Sequence, residues 1–304
     1  FPPAQRKANE LLKAHPDRQF KILYGVEFNM VDERLNIVYN ITDRNLSEAE
    51  YIVFDLETTG LSSRHDYIIE FGAVLMHKGM VKEKKDFFIK PPIALSENIS
   101  KLTNIHEEDL VNARTFKEAY PEILDFIKDR ILVAHNASFD YGFLNEELKR
   151  LNLDTLKNPV IDTLDFARSL FKSRRSYRLG NMAKLYGVSY NEEVAHRADY
   201  DADVLAQVFN LMLKDAKKNG VENLQELSEF QSPDAFVKKM AYHTNVLCKN
   251  KAGLKDLFKL VSISNTDSLA IFGKANTKSS DSEFIAEPRI LRKTLNEYRK
   301  DLLI

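Results

Sequence analysis

The chain lacks the features that mark several classes of protein. Cys248 is the only cysteine among 304 residues, which excludes a disulfide framework and a cysteine-based zinc site and favours a reducing compartment. No apolar run approaches the ~18 residues of a membrane span, and no signal-peptide pattern opens the chain. We therefore expect a cytoplasmic protein with no membrane partner.

The chain also lacks an excess of charge of either sign. It carries 44 Lys and Arg against 45 Asp and Glu, a net charge of -1, so no global positive field indicates a nucleic acid. A polyanion would have to be bound by a local patch or by metal ions. A length of 304 residues allows one large or two ordinary domains, and a hydrophobic content of 44% supports a real core. Because the first residue is Phe1 and not methionine, we expect a piece of a longer protein.

The pattern of apolar and polar residues divides the chain into residues 1–48, 49–218 and 219–304. The first region predicts a helix at Ala8–Ala14, a strand at Phe20–Tyr24 and a hairpin between Phe28–Val31 and Leu35–Tyr39. The last region predicts a helix, a strand at Asn245–Leu247, a helix at Leu254–Leu260 and a mobile loop at 274–283.

The middle region is the most regular. Its predicted strands are Tyr51–Leu56, Ile68–Met76, Lys85–Ile89, Ile131–Ala134 and Val160–Ile161. Its predicted helices are Thr115–Ile127, which begins with a capping box, Phe139–Leu151, Leu164–Phe171, Leu179–Tyr186 and Asp199–Leu213. Strands followed by alternation of strands and helices predict an α/β layer with a mixed sheet.

Two acidic residues end the first predicted strand of this region. Side chains of a strand alternate between its faces, so Asp55 and Glu57 point the same way. Paired carboxylates repel each other unless a cation or a proton lies between them. This pair therefore predicts a metal site.

Two further polar segments lie where helices begin. In His135–Asp140 an apolar strand leads into a helix, and Asp140 falls in the first helical turn, where it could do no more than complement the helix dipole. In His196–Asp201 the alternatives are N-capping for Asp199, a surface position for Asp201 and Asp203, and a surface or core position for His196.

Taken together, the three segments resemble the motifs of the DEDD exonuclease family in its histidine-bearing subclass. The resemblance rests on Asp-Leu-Glu-Thr-Thr-Gly with Asp55 and Glu57, on Asp140, and on His196 with Asp201. The tyrosine subclass would place a tyrosine where this chain has Arg197. The resemblance implies a ribonuclease H-like α/β fold with a mixed sheet and flanking helices.

It also implies a metal-dependent nuclease. Asp55, Glu57, Asp140 and Asp201 would supply hard oxygen ligands to two Mg²⁺ or Mn²⁺ ions, which would hold the attacking water and the leaving 3′ oxygen. His196 would accept the proton of that water.

The substrate contacts that the resemblance implies are Thr58, Thr59, Leu61, Asn104 and, for stacking, Phe139. Asn104 stands where the family usually has glycine, and asparagine tolerates left-handed backbone angles. Asp162 is interpreted as a helix N-cap, not as a fifth ligand. The segment Arg168–Lys184 carries six basic residues and no acidic one, among them Arg174, Arg175 and Arg178. It either follows a phosphate backbone or is a solvated face.

The flanks resemble pieces of a PHP domain, a polymerase-associated phosphoesterase-like (β/α) barrel. These pieces are 21–27, 242–247 and 252–262, and Glu27 and His243 match PHP metal-ligand positions. The barrel is incomplete and a working metal site is not expected. An exonuclease interrupting a PHP domain resembles the PolC-type family of replicative DNA polymerases III.

That arrangement implies proofreading, with a frayed or single-stranded 3′ DNA end, the rest of a polymerase chain and, through regions absent here, a sliding clamp as partners. The alternatives are a stand-alone exoribonuclease and a catalytically silent nucleic-acid-binding module.

Overall fold

The structure, a computed structural model, describes residues 2–17, 22–32, 34–171, 174, 176–232, 235–273 and 284–304. Lys172, Arg175 and the predicted mobile loop at 274–283 lie outside the described residues. The chain forms two compact units, one of residues 35–232 and one of residues 1–34 with 233–304. None of the described helices is both long enough and apolar enough to cross a bilayer.

The described elements run in this chain order: α1 Pro2–Ala14, β1 Gly25–Val31, β2 Val38–Tyr39, β3 Glu50–Thr58, β4 Ile68–His77, β5 Met80–Lys90, α2 Glu97–Thr103, α3 Glu107–Leu110, β6 Arg114–Thr115, α4 Phe116–Ile127, β7 Ile131–Ala134, α5 Ala137–Arg150, β8 Val160–Asp162, α6 Thr163–Leu170, α7 Leu179–Tyr186, α8 Ala198–Lys218, α9 Leu224–Glu229, a 3₁₀ turn Ala235–Lys238, β9 Tyr242–Cys248, α10 Lys251–Thr266, β10 Leu269–Gly273, β11 Phe284–Leu291, α11 Arg292–Tyr298, a 3₁₀ turn Arg299–Asp301 and β12 Leu302–Leu303.

A seven-stranded sheet forms the centre of the unit 35–232. Its order is β2-β8-β7-β3-β4-β5-β6. β3 pairs in parallel with β7 and antiparallel with β4, and β4 pairs antiparallel with β5. The sheet is therefore mixed, as the sequence predicts, and each predicted strand and helix of the middle region overlaps an observed one. The predicted capping box of α4 is present at Thr115 and Glu118.

Strand β3 is covered on both faces. Ile52, Phe54 and Leu56 belong to the core that α4 and α5 complete. On the other face, the ring of Tyr51 lies 5.1 Å from that of Phe209 in α8. Because side chains alternate along a strand, Asp55 and Glu57 share the face of Tyr51 and point towards α8.

The predicted hairpin in the first region is wrong. β1 pairs with β9 and β11, whereas β2 pairs with β8. The physical reason is that β2 supplies an edge of the seven-stranded sheet, where Val38 is buried. Residues near both predicted domain boundaries also bind each other, since Leu46 N–H donates to Glu222 O and Leu224 N–H donates to Arg44 O. The predicted boundaries at 48 and 218 thus fall inside the unit 35–232.

The second unit has a five-stranded sheet in the order β10-β11-β1-β9-β12. Its core lies on one face, where Phe28, Val246 and Ile290 pack with Leu257 and Leu260 of α10. Of the strand predicted at Phe20–Tyr24, residues 22–24 are not in a strand and the first two positions lie outside the described residues.

Candidate active site

The site begins at the carboxyl end of β3. Glu57 is 9% exposed and Asp55 is half-buried. In the antiparallel pairing with β4, Asp55 lies opposite Gly72 and Glu57 opposite Glu70. A register shift follows at Thr58, so the ladder is interrupted directly after the two acidic residues. Their shared face, predicted from the strand period, is the face that α8 covers.

Asp140 reaches the same region from α5. Its carboxyl group is 3% exposed and accepts a hydrogen bond from the backbone N–H of Leu56. Asp162 holds the start of this helix, because its carboxylate accepts from Asn136 N–H at 3.2 Å and Ala137 N–H at 3.1 Å. It also caps α6 through Leu164 N–H, which confirms the predicted N-cap and adds a second helix to it.

His196 and Asp201 lie at the start of α8. Asp201 is 7% exposed, so a surface position for this residue is excluded. His196 is exposed and has φ 65°, and its backbone N–H donates to Asp201 Oδ2 at 2.9 Å. The N-cap of α8 is Arg197, which rules out the alternative that Asp199 serves as the N-cap.

The motif residues converge in space. Ligand atoms of Glu57, His196 and Asp201 lie within 4.8 Å of one another, and we call these three residues the motif cluster. Asp55 lies next to the motif cluster. The charges of Asp140, Glu57 and Asp201 are close enough to its carboxyl group to raise its pKa. Residues far apart in sequence therefore form one acidic pocket.

The ionised forms of these carboxyl groups are disfavoured. Burial raises the pKa of Glu57 to about 8, with Glu70, Asp201 and Asp140 adding to the shift. Burial raises the pKa of Asp140 to about 8 as well, against the hydrogen bonds that it accepts from the backbone. The pKa of Asp55 is raised well above its ordinary value by burial and then by Asp140. Such a group is stabilised by protons or by a cation.

The chemistry of the donors fits a divalent metal ion. Burial raises the pKa of Asp201, while the nearby hydroxyl of Tyr190 lowers it. Oδ1 of Asp201 is buried and has no hydrogen-bond partner within 3.5 Å among the described residues, and an unsatisfied buried carboxylate oxygen is costly. Oxygen-rich donor sets select Mg²⁺, Mn²⁺ or Ca²⁺ over softer metals. The acidic pocket can therefore hold a divalent metal ion through carboxylate oxygens.

A family comparison decides what kind of protein this is. A family model described as Exonuclease matches residues 52–209, which is more than half of the chain. The chain belongs to this exonuclease family.

Two curated relatives of this exonuclease share a name. The chain is 39% identical over 286 residues to the DNA polymerase III PolC-type of Streptococcus thermophilus. It is 43% identical over 262 residues to the protein of the same name from Ureaplasma parvum. The matches cover 93% and 85% of this chain but only 18% of each relative, so the exonuclease spans about a fifth of the length of the relatives that it matches.

Solved nucleases share the fold of this exonuclease. The nuclease domain of 3′hExo, a DEDDh family member bound to rAMP, superposes with a TM-score of 0.51 at 21% identity, covering 57% of this chain and 95% of that one. Exonuclease I superposes with a TM-score of 0.50 at 18% identity, covering 60% and 43%. The predicted ribonuclease H-like mixed sheet is thus the fold of known nucleases.

A cavity opens at the start of α5, the helix that carries Asp140. It has a volume of about 230 Å³, and Leu61, Ser63, Asn136, Ser138, Phe139 and Phe143 line it. Leu61 is 88% exposed, and the ring of Phe139 lies 4.8 Å from that of Phe143. The structure therefore brings two of the predicted substrate contacts to one cavity.

Two other predicted substrate contacts, Thr58 and Thr59, use their hydroxyl groups in hydrogen bonds within the chain. Thr58 is buried and its hydroxyl donates to Gly60 O at 2.7 Å, while Thr59 Oγ1 accepts from Tyr67 N–H at 3.0 Å. Asn104 has the predicted left-handed backbone, with φ 55° at the end of α2. Thr58 and Thr59 thus shape the turn after β3 through their hydroxyl groups.

The basic segment is only partly a free positive surface. Arg168 pairs with Asp165 at 2.7 Å, and the Arg174 guanidinium lies 5.2 Å from the centre of the Phe171 ring. Arg178 is exposed, and Arg175 lies outside the described residues. Arg174, Arg178 and the exposed Lys184 remain as described cations that could meet a phosphate.

The second unit brings Glu27 and His243 together. His243 Nδ1 lies 2.7 Å from Glu27 Oε1, and both side chains are largely exposed. Among the described residues they join no group of three or more potential ligands.

Sequence reasoning missed a second acidic group. Ligand atoms of Glu70, Asp86 and Asp199 also lie within 4.8 Å of one another. The guanidinium of Arg197 binds Glu70 among them, and we call these four residues the Arg197 cluster. The signal that could have revealed it is a charged residue inside the apolar run Ile68–Phe71, followed at once by Gly72.

Proposed function

We propose that this chain is a metal-dependent 3′→5′ exonuclease that hydrolyses the 3′-terminal phosphodiester of DNA. The observation that carries the proposal is the convergence of Glu57 and Asp201 with the exposed His196, next to the carboxyl groups of Asp55 and Asp140, whose charges act on the same pocket, in a chain of the exonuclease family. The unpartnered Oδ1 of Asp201 supports a cation in this pocket.

Each residue would have one task. Asp55, Glu57, Asp140 and Asp201 would hold two Mg²⁺ or Mn²⁺ ions, which when bound would polarise the phosphate and stabilise the charge on the attacking and leaving oxygens. His196 would accept the proton of the attacking water at a ring nitrogen. Its exposed side chain lies within ligand distance of Glu57 and Asp201, where a water entering from solvent can reach it.

The terminal nucleotide would occupy the cavity at the start of α5. Phe139 and Leu61 offer apolar contact to a base, and stacking on an aromatic side chain contributes about 1–3 kcal/mol per base. Such contact tolerates any base, as a proofreading nuclease requires. Asn104, Arg174, Arg175 and Arg178 would contact the backbone of the strand.

We further infer that the chain proofreads for a PolC-type replicative polymerase. Curated relatives of that name match 85–93% of the chain at 39–43% identity. The partners would then be a frayed 3′ end of DNA, the remainder of the polymerase chain and a sliding clamp bound through other regions, in the cytoplasm.

The second unit, of residues 1–34 and 233–304, would derive from a PHP domain. Two antiparallel neighbouring strands, β1 and β9, bring Glu27 beside His243, which supports a common origin with PHP metal ligands. A two-residue pair with both side chains exposed is a poor metal site, so we propose no hydrolytic function for it.

The test compares mismatched with matched primer ends, with Mg²⁺ and with EDTA, on end-labelled DNA and on RNA of the same sequence. The proposal expects Mg²⁺-dependent removal of 3′ nucleotides, faster from mismatched DNA. Faster cleavage of RNA would indicate an exoribonuclease. Absence of cleavage together with absence of Mn²⁺ binding would indicate a silent binding module.

A matched pair of variants assigns the activity to the site. Asp201→Asn changes a buried carboxyl group of the motif cluster, and Asp203→Asn changes a carboxylate of the same helix that pairs with Lys84. Loss of cleavage in the first and normal cleavage in the second are expected. Equal activity in both variants would contradict the proposed site.

A further inference from the structure

Glu70 is a buried carboxylate outside the motifs, and both of its oxygens are in use. The residue is fully buried on β4. Its Oε1 accepts from Arg197 Nε at 2.9 Å and Nη2 at 2.7 Å, and its Oε2 accepts from the backbone N–H of Ala198 at 2.8 Å. Forked hydrogen bonds of this kind fix geometry as well as charge. Glu70 thus holds the two residues that connect His196 to α8.

Gly72 lets the same helix approach the sheet closely. A Cβ atom at Gly72 would overlap the backbone of Ala198 and the amide nitrogen of Asp199. The first turn of α8 therefore lies directly on the backbone of β4. Glu70 and Gly72 are two apart on one strand and face the same side, so they act on one point of the helix.

The backbone at His196 depends on this attachment. Its φ of 65° lies in the left-handed region, which a histidine adopts only where its surroundings hold it. The His196 N–H donates to Asp201 Oδ2, and Oδ1 of the same carboxylate has no hydrogen-bond partner in the part of the chain that the structure describes. Arg197 points the other way, since its guanidinium binds Glu70 and lies 5.2 Å from the centre of the Phe88 ring.

We propose that Glu70 and Gly72 are positioning residues of the exonuclease. They anchor Arg197 and Ala198 to β4, and this anchor aims the His196 imidazole and Asp201 Oδ1 at Glu57, which lies opposite Glu70 on β3. The inference rests on the proposed function of the motif cluster. Arg197 stands where the other subclass has its tyrosine. In this chain its side chain has a structural role, because it points away from His196 and binds Glu70.

Glu70 itself is not available as a metal ligand. Both of its oxygens accept hydrogen bonds, and the guanidinium of Arg197 supplies the positive charge within the group formed with Asp86 and Asp199. Glu70 therefore acts on the reaction through the backbone at 196–198 and through its charge, which raises the pKa of Glu57, whereas the uncharged Gly72 acts through the backbone alone.

Two chemically different variants test the anchor. Glu70→Gln removes the charge and one acceptor, while Gly72→Ala inserts a methyl group between strand and helix without changing any charge. Glu50→Gln is the control: it weakens a carboxylate–arginine pair with Arg130 at 2.7 Å, seven residues and roughly 23 Å along β3 from Glu57.

Three measurements on the whole chain distinguish positioning from general damage. Amide hydrogen exchange of residues 196–201 is measured without metal, Mn²⁺ affinity by calorimetry, and kcat and KM on single-stranded DNA. In both variants we expect faster exchange at His196 and Ala198, Mn²⁺ affinity lower by about 10-fold, and kcat lower by about 100-fold with KM unchanged. Glu50→Gln should match the unaltered chain.

The conservative variant Glu70→Asp retains a carboxylate and should recover part of the kcat lost in Glu70→Gln. If one variant fails to fold, the other decides; if neither folds, Arg197→Lys, which keeps the charge but lacks the fork, takes their place.

Normal exchange and normal Mn²⁺ affinity in folded variants would overturn the proposal, whatever their kcat. A chain without nuclease activity would refute the proposed function, yet the exchange measurement would still test the anchor.

Discussion

Two acidic groups lie on the same face of the sheet and differ in what neutralises them. In the Arg197 cluster, Glu70 is fully buried and carries a guanidinium with two short hydrogen bonds. In the motif cluster, Glu57 and Asp201 are almost as buried, but Asp201 Oδ1 has no partner among the described residues.

The comparison shows that a buried carboxyl group is interpreted by what neutralises it. Desolvation disfavours both groups, and each needs a positive charge. In the Arg197 cluster the chain itself supplies the positive charge, and the resulting pair holds α8. In the motif cluster the positive charge would come from a cation in solution. Acidity alone does not separate the two; the presence or absence of a protein cation does.

The largest expected effect concerns Asp55, which adjoins the motif cluster in the acidic pocket. Asp55→Ala should lower cleavage on the order of 10⁴-fold, because groups that act as a unit fail together, while thermal stability without metal is retained or raised since a repelling charge is gone. Single-turnover cleavage and thermal unfolding measure both. Asp203→Asn is the control, and substantial metal-dependent activity in Asp55→Ala would break the distinction between the clusters.

The next effect concerns the Arg197 cluster. Arg197→Met leaves Glu70 buried without its cation, and removal of one partner of a buried pair costs about 3 kcal/mol. Denaturant unfolding should show this loss. His196→Asn in the motif cluster should cost far less, because His196 is exposed. Equal losses in the two variants would contradict the proposed difference in neutralisation.

A smaller effect is the pH dependence of stability without metal. The pKa of Glu57 and of Asp140 is raised to about 8 in the folded chain, against about 4 in an unfolded chain. The folded state binds these protons more tightly, so the stability that they contribute is present below pH 4 and is lost as pH rises through 8.

Glu57 and Asp140 lose their protons in the folded chain between pH 6.5 and 8.5, since the pKa of each is about 8. His135, whose pKa burial lowers to about 4, is neutral there in the folded chain, and in the unfolded chain it loses its proton near pH 6.5, which raises stability with pH and so opposes the expected fall. In EDTA we expect the unfolding midpoint to fall by at least about 2–4 °C across this window, and Mg²⁺ should abolish the fall by pairing with the ionised carboxylates. If the unfolding midpoint fell equally with pH in Mg²⁺ and in EDTA, no cation would occupy the motif cluster.

The smallest effect is expected at the rim of the Arg197 cluster. Asp86→Asn removes one half-exposed carboxylate, whose pKa burial and Glu70 raise to about 6. Because Arg197 already neutralises the group, we expect stability within about 0.5 kcal/mol of the unaltered chain and an unchanged Mn²⁺ stoichiometry. A lost equivalent of Mn²⁺ would show that the Arg197 cluster also binds metal.

Local patterns were sufficient for much of the fold. The apolar runs that became β3, β4 and β7 and the periodic segments that became α4, α7 and α8 were placed within a few residues, because their periods differ clearly. The hairpin at 28–39 failed since short strands can pair with any free edge, and β2 found one at β8. No local pattern encodes that choice.

The sequence by itself determined which residues could bind a metal. The strand period put Asp55 and Glu57 on one face, and the types and order of the motif residues indicated a nuclease. Only the tertiary structure decided which acids are left without a protein cation. Glu70 and Arg197 are far apart along the chain, and their pairing arises from the packing of α8 on β4 at Gly72. Neutralisation depends on distances of a few ångströms between distant segments, and such distances exist only once the sheet and helix have come together.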